Sequence, residues 1–167
     1  GGKPAGALEL TVLREMFATA TSPLTRHIFG PGPGVLHSVT GHVRDDYLEP
    51  LLAGHKKSAF AFTEPDSAPR PSWGVLKGDR VLVNGVKSYV TGGLTADFVT
   101  ALINVEHEDG AKAVAAMIVI DKDAPGVTLD REVSSLDGSR EVSLNFAAAS
   151  VPRYNLTGEL GESSPRA

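Results

Sequence analysis

A chain of 167 residues, 41% of them hydrophobic and 22% charged, is long enough for one compact domain, or for one domain and part of another, with an ample core. A net charge of −4 leaves no basic stripe to meet a phosphate backbone, so nucleic acid is not an expected partner. The absence of cysteine removes disulfides, thiolate nucleophiles and cysteine-held metals together; with no signal segment near Gly1 and no apolar run long enough to span a bilayer, a cytoplasmic setting is expected.

Residues 7–20 place Leu8, Val12, Leu13, Met16, Phe17 and Ala20 at helical spacing, with Glu9, Arg14 and Glu15 for the wet side, and predict an amphipathic helix. Ser22-Pro23 ends it. Gly30-Pro31-Gly32-Pro33-Gly34 reads as a loop rather than a phosphate cradle, because it has neither Walker nor dinucleotide spacing and its prolines have no amide hydrogen to donate. A second helix is predicted over 37–53, with Val39, Val43, Tyr47, Leu48, Leu51 and Leu52 as its seam, Pro50 kinking its last turn and Gly54 stopping it. From Ser58 onward, short runs rich in Val, Ile, Phe and Thr alternate with Gly, Asn, Asp and Pro. Strands are predicted over 58–63, 80–83, 86–91, 98–105, 113–120, 127–133 and 141–146, a spacing that implies an antiparallel β-barrel or sandwich. Asn84-Gly85 predicts a two-residue hairpin turn, because both central residues of a type I′ turn need positive φ. Asp109-Gly110 is expected to turn the chain in a longer loop, and the polar residues 163–167 to fray.

The polar residues do not by themselves announce a chemistry. His27, His37, His42, His55 and His107 are scattered, without the i, i+4 spacing beside a carboxylate that a zinc helix needs, so no metal is expected. Gly-x-Ser-x-Gly is absent, which leaves a serine hydrolase unsupported. Taken alone, Phe60 and Phe62, two apart on a strand, read as core, and Thr63 and Thr91 as strand formers.

Four segments in this order resemble the acyl-CoA dehydrogenase family. Tyr47-Leu48-Glu49-Pro50-Leu51-Leu52-Ala53-Gly54 is similar to the helix that ends the family's N-terminal domain. Phe60-Ala61-Phe62-Thr63-Glu64-Pro65 resembles its flavin-loop signature, and Asn84-Gly85-Val86-Lys87-Ser88-Tyr89-Val90-Thr91-Gly92-Gly93 its second flavin strand. Asp123-Ala124-Pro125-Gly126-Val127, and Val151-Pro152-Arg153-Tyr154-Asn155-Leu156 with Gly158, resemble the segments that close the β-domain. The resemblance implies an α+β chain: 1–57 as part of the N-terminal helical domain, 58–160 as the flavin-binding middle β-barrel domain, and 161–167 as a tail, with the family's C-terminal four-helix bundle absent. It implies part of an FAD-dependent enzyme that oxidises an acyl-CoA thioester to the 2,3-enoyl-CoA, in which this chain supplies the β-domain half of the flavin site. The implied partners are the acyl-CoA substrate, an electron-transfer flavoprotein or other acceptor, and further copies of the full-length subunit in a tetramer or dimer.

By motif position, Phe60, Phe62 and Thr63 are expected to line the flavin, with the Thr63 hydroxyl or main chain bonding the pyrimidine edge. Tyr89, where the family usually has tryptophan, Val90 and Thr91 are expected on the other side, Thr91 approaching N5. The family's catalytic base, a glutamate, belongs to the bundle, so no catalytic residue is assigned and the chain alone is expected to be inactive. Glu64 is expected to accept a hydrogen bond from nearby main chain in its turn rather than to act as a base. Two departures stand out. Where the family has a glycine-rich Gly-x-Gly-Ser-Asp stretch that lets FAD pyrophosphate and acyl-CoA approach the backbone, this chain has Asp66-Ser67-Ala68-Pro69-Arg70-Pro71-Ser72. Its prolines remove donors, Asp66 repels phosphate, and Ser67, Arg70 or Ser72 could substitute. Asp137-Gly138-Ser139-Arg140-Glu141 stands where an arginine followed by serine and threonine is common. These departures motivate two alternatives: a non-catalytic structural or regulatory relative that has lost FAD, and a flavin-dependent monooxygenase of the same fold.

Overall fold

The computed structural model describes residues 5–29, 32–106, 113–136 and 138–157, apart from the side chains of Arg26 and His27. The loop expectations at Gly30-Pro31 and Asp109-Gly110, together with His107, Asp137, Gly158 and the tail, lie outside the described residues. The chain forms two compact units, residues 1–34 and 35–167. In the first, helix α1 (Ala7–Thr19) forms where the apolar periodicity predicts it, and a short α2 (Thr25–Ile28) follows. The Glu9 carboxylate accepts the Gly6 amide and so caps the first turn. None of the α1 side chains is buried, and Leu8 and Met16 of the predicted apolar seam are exposed. Phe17 meets Phe29 edge to face with centroids 5.7 Å apart.

In the second unit the predicted helix 37–53 is broken into pieces. A 3-10 turn (Gly34–Ser38) leads into α3 (Gly41–Val43), a π turn (Arg44–Leu48) and α4 (Glu49–Leu52). The π turn answers Pro50, which has no N–H for the Asp46 carbonyl one α-turn earlier. The Glu49 amide bonds back to the Arg44 carbonyl instead, and the Lys56 ammonium takes the Asp46 carbonyl at 3.0 Å. Gly54, at φ +74, ends the helix as its position predicts. The seam is buried at Val39, Val43, Tyr47 and Leu48, which pack with Leu36 against Phe98 and Val119 of the sheet; Leu52 instead is exposed.

Eight strands follow among the described residues: β1 (Ser58–Ala61), β2 (Trp73–Lys77), β3 (Arg80–Thr91), β4 (Phe98–Glu106), β5 (Val114–Asp121), β6 (Val127–Ser134), β7 (Arg140–Pro152) and β8 (Leu156–Thr157). They form one sheet in the order β6-β7-β3-β2-β4-β5-β8, with β1 also on β4. The fold is α+β as expected, but the path is open rather than a closed barrel, and it is not wholly antiparallel. Both β1 and β2 run parallel to β4, β1 along residues 98–101 and β2 along 104–106 of the same edge. The inward face carries the main core, which includes Val81, Val83, Val99, Ile118, Ile120 and Leu144.

The expected hairpin at Asn84-Gly85 is not there: both residues continue β3. The reversal lies at Gly78-Asp79, where Lys77 pairs with Arg80 around a glycine at φ +59. Asn84-Gly85 faces an irregularity in β7, and the Asn84 side-chain carbonyl accepts the amide of Ala148, itself at φ +50, at 2.9 Å. Glycine is needed at 85 for close approach as well as for its φ of +130, because a Cβ there would stand 2.5 Å from the Ser72 hydroxyl.

Candidate functional site

Beyond Ala61 the chain leaves the β1 ladder, and residues 62–64 run beside β3 without belonging to a strand. Three contacts hold them there. The Lys87 ammonium donates to the Phe62 carbonyl at 3.0 Å and to the Glu64 carboxylate at 2.7 Å, and the Ser88 amide donates to the Thr63 carbonyl at 2.9 Å. The same Glu64 oxygen accepts the Ser72 amide at 2.7 Å, which is the main-chain role expected of it. Lys87 is 1% exposed. Burial pulls its pKa below the ordinary value, although the neighbouring carboxylate pulls the other way. Burial pushes the Glu64 carboxyl up, but the hydrogen bonds from Lys87 and Ser72 outweigh this and leave it below the ordinary value.

Residue 63 therefore lies beside β3, its carbonyl accepting the Ser88 amide three residues before Thr91. Phe60 and Phe62 are exposed, not core, and their rings stack with centroids 6.2 Å apart and planes 15° from parallel. The Thr63 amide and hydroxyl have no hydrogen-bond partner among the described residues, and the residue is exposed. On the far side, a bulge between Lys87 and Val90 puts Tyr89 at φ +56 with its ring exposed, a conformation uncommon for an aromatic residue. The Ser88 hydroxyl, buried just before it, also lacks a partner. The exposed Thr91 hydroxyl makes one long contact, 3.4 Å to Glu141. Val90 is fully buried in the core, so only its main chain can reach a ligand.

The stacked Phe60 and Phe62 rings, with the exposed Thr63 beside them in sequence, have a chemistry that fits a flat polar ring system such as isoalloxazine. The 66–72 loop offers less to a pyrophosphate. Arg70 is paired with Glu106 and lies over the Trp73 ring at 4.2 Å, the Ser72 amide is taken by Glu64, and the Ser72 hydroxyl is buried behind Gly85. Ser67 makes no such contact among the described residues. Lys87 is the residue sequence reasoning missed. A cation inside a β segment normally signals a wet face, and the turn expected at Asn84-Gly85 cut position 87 off from the Val81, Val83 alternation that turns it inward.

No family model matches the chain. Over 132 residues it is 31% identical to the short-chain specific acyl-CoA dehydrogenase of Clostridium acetobutylicum, covering 75% of this chain and 35% of that protein. Over 172 residues it is 26% identical to a subunit of the caffeyl-CoA reductase–Etf complex of Acetobacterium woodii, covering 97% of this chain and 45% of that one. A crystal structure of a candidate acyl-CoA dehydrogenase from Mycobacterium smegmatis superposes with a TM-score of 0.76 at 28% identity, over 96% of this chain and 44% of the other. The chain thus spans less than half the length of these relatives. By fold and by these matches, the chain belongs to the acyl-CoA dehydrogenase family, as a partial member whose sheet is that family's middle β-domain.

Proposed function

We propose that this chain supplies the β-domain half of the flavin site of an FAD-dependent acyl-CoA dehydrogenase, with residues 58–160 as the flavin-binding domain and 1–57 as part of the helical domain before it. The observation that carries this reading is the exposed Thr63, whose amide and hydroxyl have no hydrogen-bond partner among the described residues, together with the Phe60–Phe62 stack and the exposed, bulged Tyr89. FAD, when bound, accepts the hydride that leaves the acyl chain. The protein's share is to hold the ring and to offer donors where negative charge gathers. Thr63 would bond the pyrimidine edge, Phe60 and Phe62 would cover one part of the ring system, and Tyr89, the Val90 main chain and Thr91 would border the other. Glu64, committed to Lys87 and Ser72, is not the base that takes the α-proton; by the family resemblance that base belongs to the helical bundle. The electrons leave to an electron-transfer flavoprotein or another acceptor; the Etf complex named for the Acetobacterium relative supports the first. The full-length subunit acts in a homo-oligomer.

A second reading draws on the 66–72 loop, whose Arg70 and Ser72 donors are engaged within the chain: a β-domain that has lost its hold on the pyrophosphate and serves a structural role. One experiment separates the two. The full-length gene product is purified and its visible spectrum recorded. A bound flavin that bleaches anaerobically when an acyl-CoA is added supports the dehydrogenase. A flavin that stays oxidised with every acyl-CoA but is reduced by another donor and reoxidised by oxygen supports a monooxygenase. A colourless protein that takes up no added FAD rules out both enzymes.

A further inference from the structure

We propose that Lys87 is a positioning residue for the flavin: together with Glu64 it clamps residues 62–64 onto β3 so that the Thr63 amide and hydroxyl are presented outward in fixed directions. This rests on the flavin reading above. Past Ala61 the segment has no sheet partner, and its attachment consists of the two Lys87 bonds and the Ser88–Thr63 bond. These occupy the carbonyls of Phe62 and Thr63 and the carboxylate of Glu64. The groups of Thr63 that remain are its amide and its hydroxyl. Without Lys87, the Phe62 carbonyl is free to turn and the Glu64 carboxylate keeps only the Ser72 amide, so the direction of the Thr63 donors between them is no longer fixed.

The clamp also joins the two halves of the site. Lys87 lies at the start of the bulge that puts Tyr89 at φ +56, and its partner Glu64 holds the Ser72 amide where the 66–72 loop rejoins the sheet. One buried ammonium thus holds the Phe62 carbonyl and, through Glu64, the root of the loop. Stability alone gives little reason for a lysine here, since apolar side chains of similar volume commonly replace buried ion pairs without loss. Fixed orientation of donors around a ring does give one, because a polar site works by preorganisation of the residues behind it.

The test uses the full-length, flavin-loaded protein and the double variant Lys87→Met with Glu64→Gln, which removes both charges and leaves neither one buried without its partner. FAD affinity, the flavin absorption spectrum, the flavin midpoint potential and amide exchange of residues 62–72 in the apoprotein are measured. The expected result is a cooperatively folded variant whose FAD dissociation constant rises at least tenfold, whose flavin bands and potential shift, and whose 62–72 amides exchange at least tenfold faster. An FAD affinity within twofold of wild type with unchanged bands and potential overturns the proposal, whatever the melting temperature does. If the double variant does not fold, Glu64→Gln alone decides. It keeps an oxygen for Lys87 and for the Ser72 amide but weakens the clamp, so at least a threefold loss of affinity with shifted bands supports the proposal, and wild-type values overturn it. A wild-type protein that takes up no FAD overturns the flavin reading and the proposal with it, whereas a flavin-binding wild type with an indifferent variant overturns the proposal alone.

Discussion

Gly85 and Gly78 both have positive φ, yet they do different things. A Cβ on Gly85 would lie within 2.7 Å of the Ser72 main chain, whereas one on Gly78 would meet nothing within 4 Å. Gly78→Ala therefore suffers backbone strain alone and is expected to cost about 1–2 kcal/mol. Gly85→Ala adds overpacking against Ser72 and is expected to cost about 2–4 kcal/mol. Urea unfolding of the two variants side by side checks the ordering, and equal costs would mean that Ser72 yields freely. Glu64 gives a second prediction at this scale. Its native carboxyl is held below the ordinary value of 4.5, so the unfolded chain binds the proton first as pH falls. The stability Glu64 contributes is complete above about pH 4.5 and is lost as pH drops through the native pKa. The advantage of wild type over Glu64→Gln, read as the difference in urea midpoints, should be constant near neutrality and shrink below about pH 4.5.

The helical segment is fastened to the sheet through one polar knot. The Tyr47 hydroxyl donates to Asp121 at 3.0 Å and accepts from Asn155 at 3.2 Å, while the same Asn155 amide donates to the Val119 carbonyl at 2.8 Å. Tyr47→Phe removes the link to Asp121 but leaves Asn155 its second acceptor, so it is expected to cost about 1 kcal/mol. Asn155→Ala strands the Val119 carbonyl in the interior, with an expected cost of about 1–3 kcal/mol. Burial first, and then the Asp121 charge, push the Tyr47 pKa up to about 12 from 10.0 against the opposing bond from Asn155. The native state therefore keeps this proton longer than the unfolded chain does, and stability falls between about pH 10 and pH 12. Tyr47→Phe should lack that component, so the two melting curves should converge as pH rises through this window. The elements themselves were legible to different degrees. Helix α1, β4, β5 and β6 stand out because apolar periodicity is a local property, whereas β3 reads as two strands and only residues 141–146 of β7 read as strand. β2 was missed because it is five residues long with a glycine inside it. Asn84-Gly85 misled because a tight turn and a close approach inside a strand both demand glycine, and nothing local says which. Pro50 announced a disturbance, but the π turn that absorbs it depends on Lys56 reaching back to Asp46.

At the scale of the molecule, strand order was out of reach of local patterns, because β1 and β2 share one edge of β4 through contacts set by the whole sheet rather than by neighbouring residues. The aromatic side chains on its outer surface were read from motif position, and their exposure carries the last prediction. Phe60, Phe62 and Tyr89 are 46%, 52% and 62% exposed, and large apolar side chains gathered on one surface usually mark a face that another body covers. On the reading proposed above, the flavin is that cover. The 167-residue chain on its own presents the same rings to water, and it is therefore expected to be sparingly soluble, to bind a hydrophobic dye and to sediment as a concentration-dependent mixture. Phe60→Ser with Phe62→Ser should reduce both dye binding and association without lowering the melting temperature by more than a few degrees, since neither ring belongs to the core. Sedimentation velocity across a range of concentrations tests this directly. A wild-type chain that stays monomeric and dye-free would mean that the stacked pair is satisfied by the chain itself and has nothing left to offer a ligand.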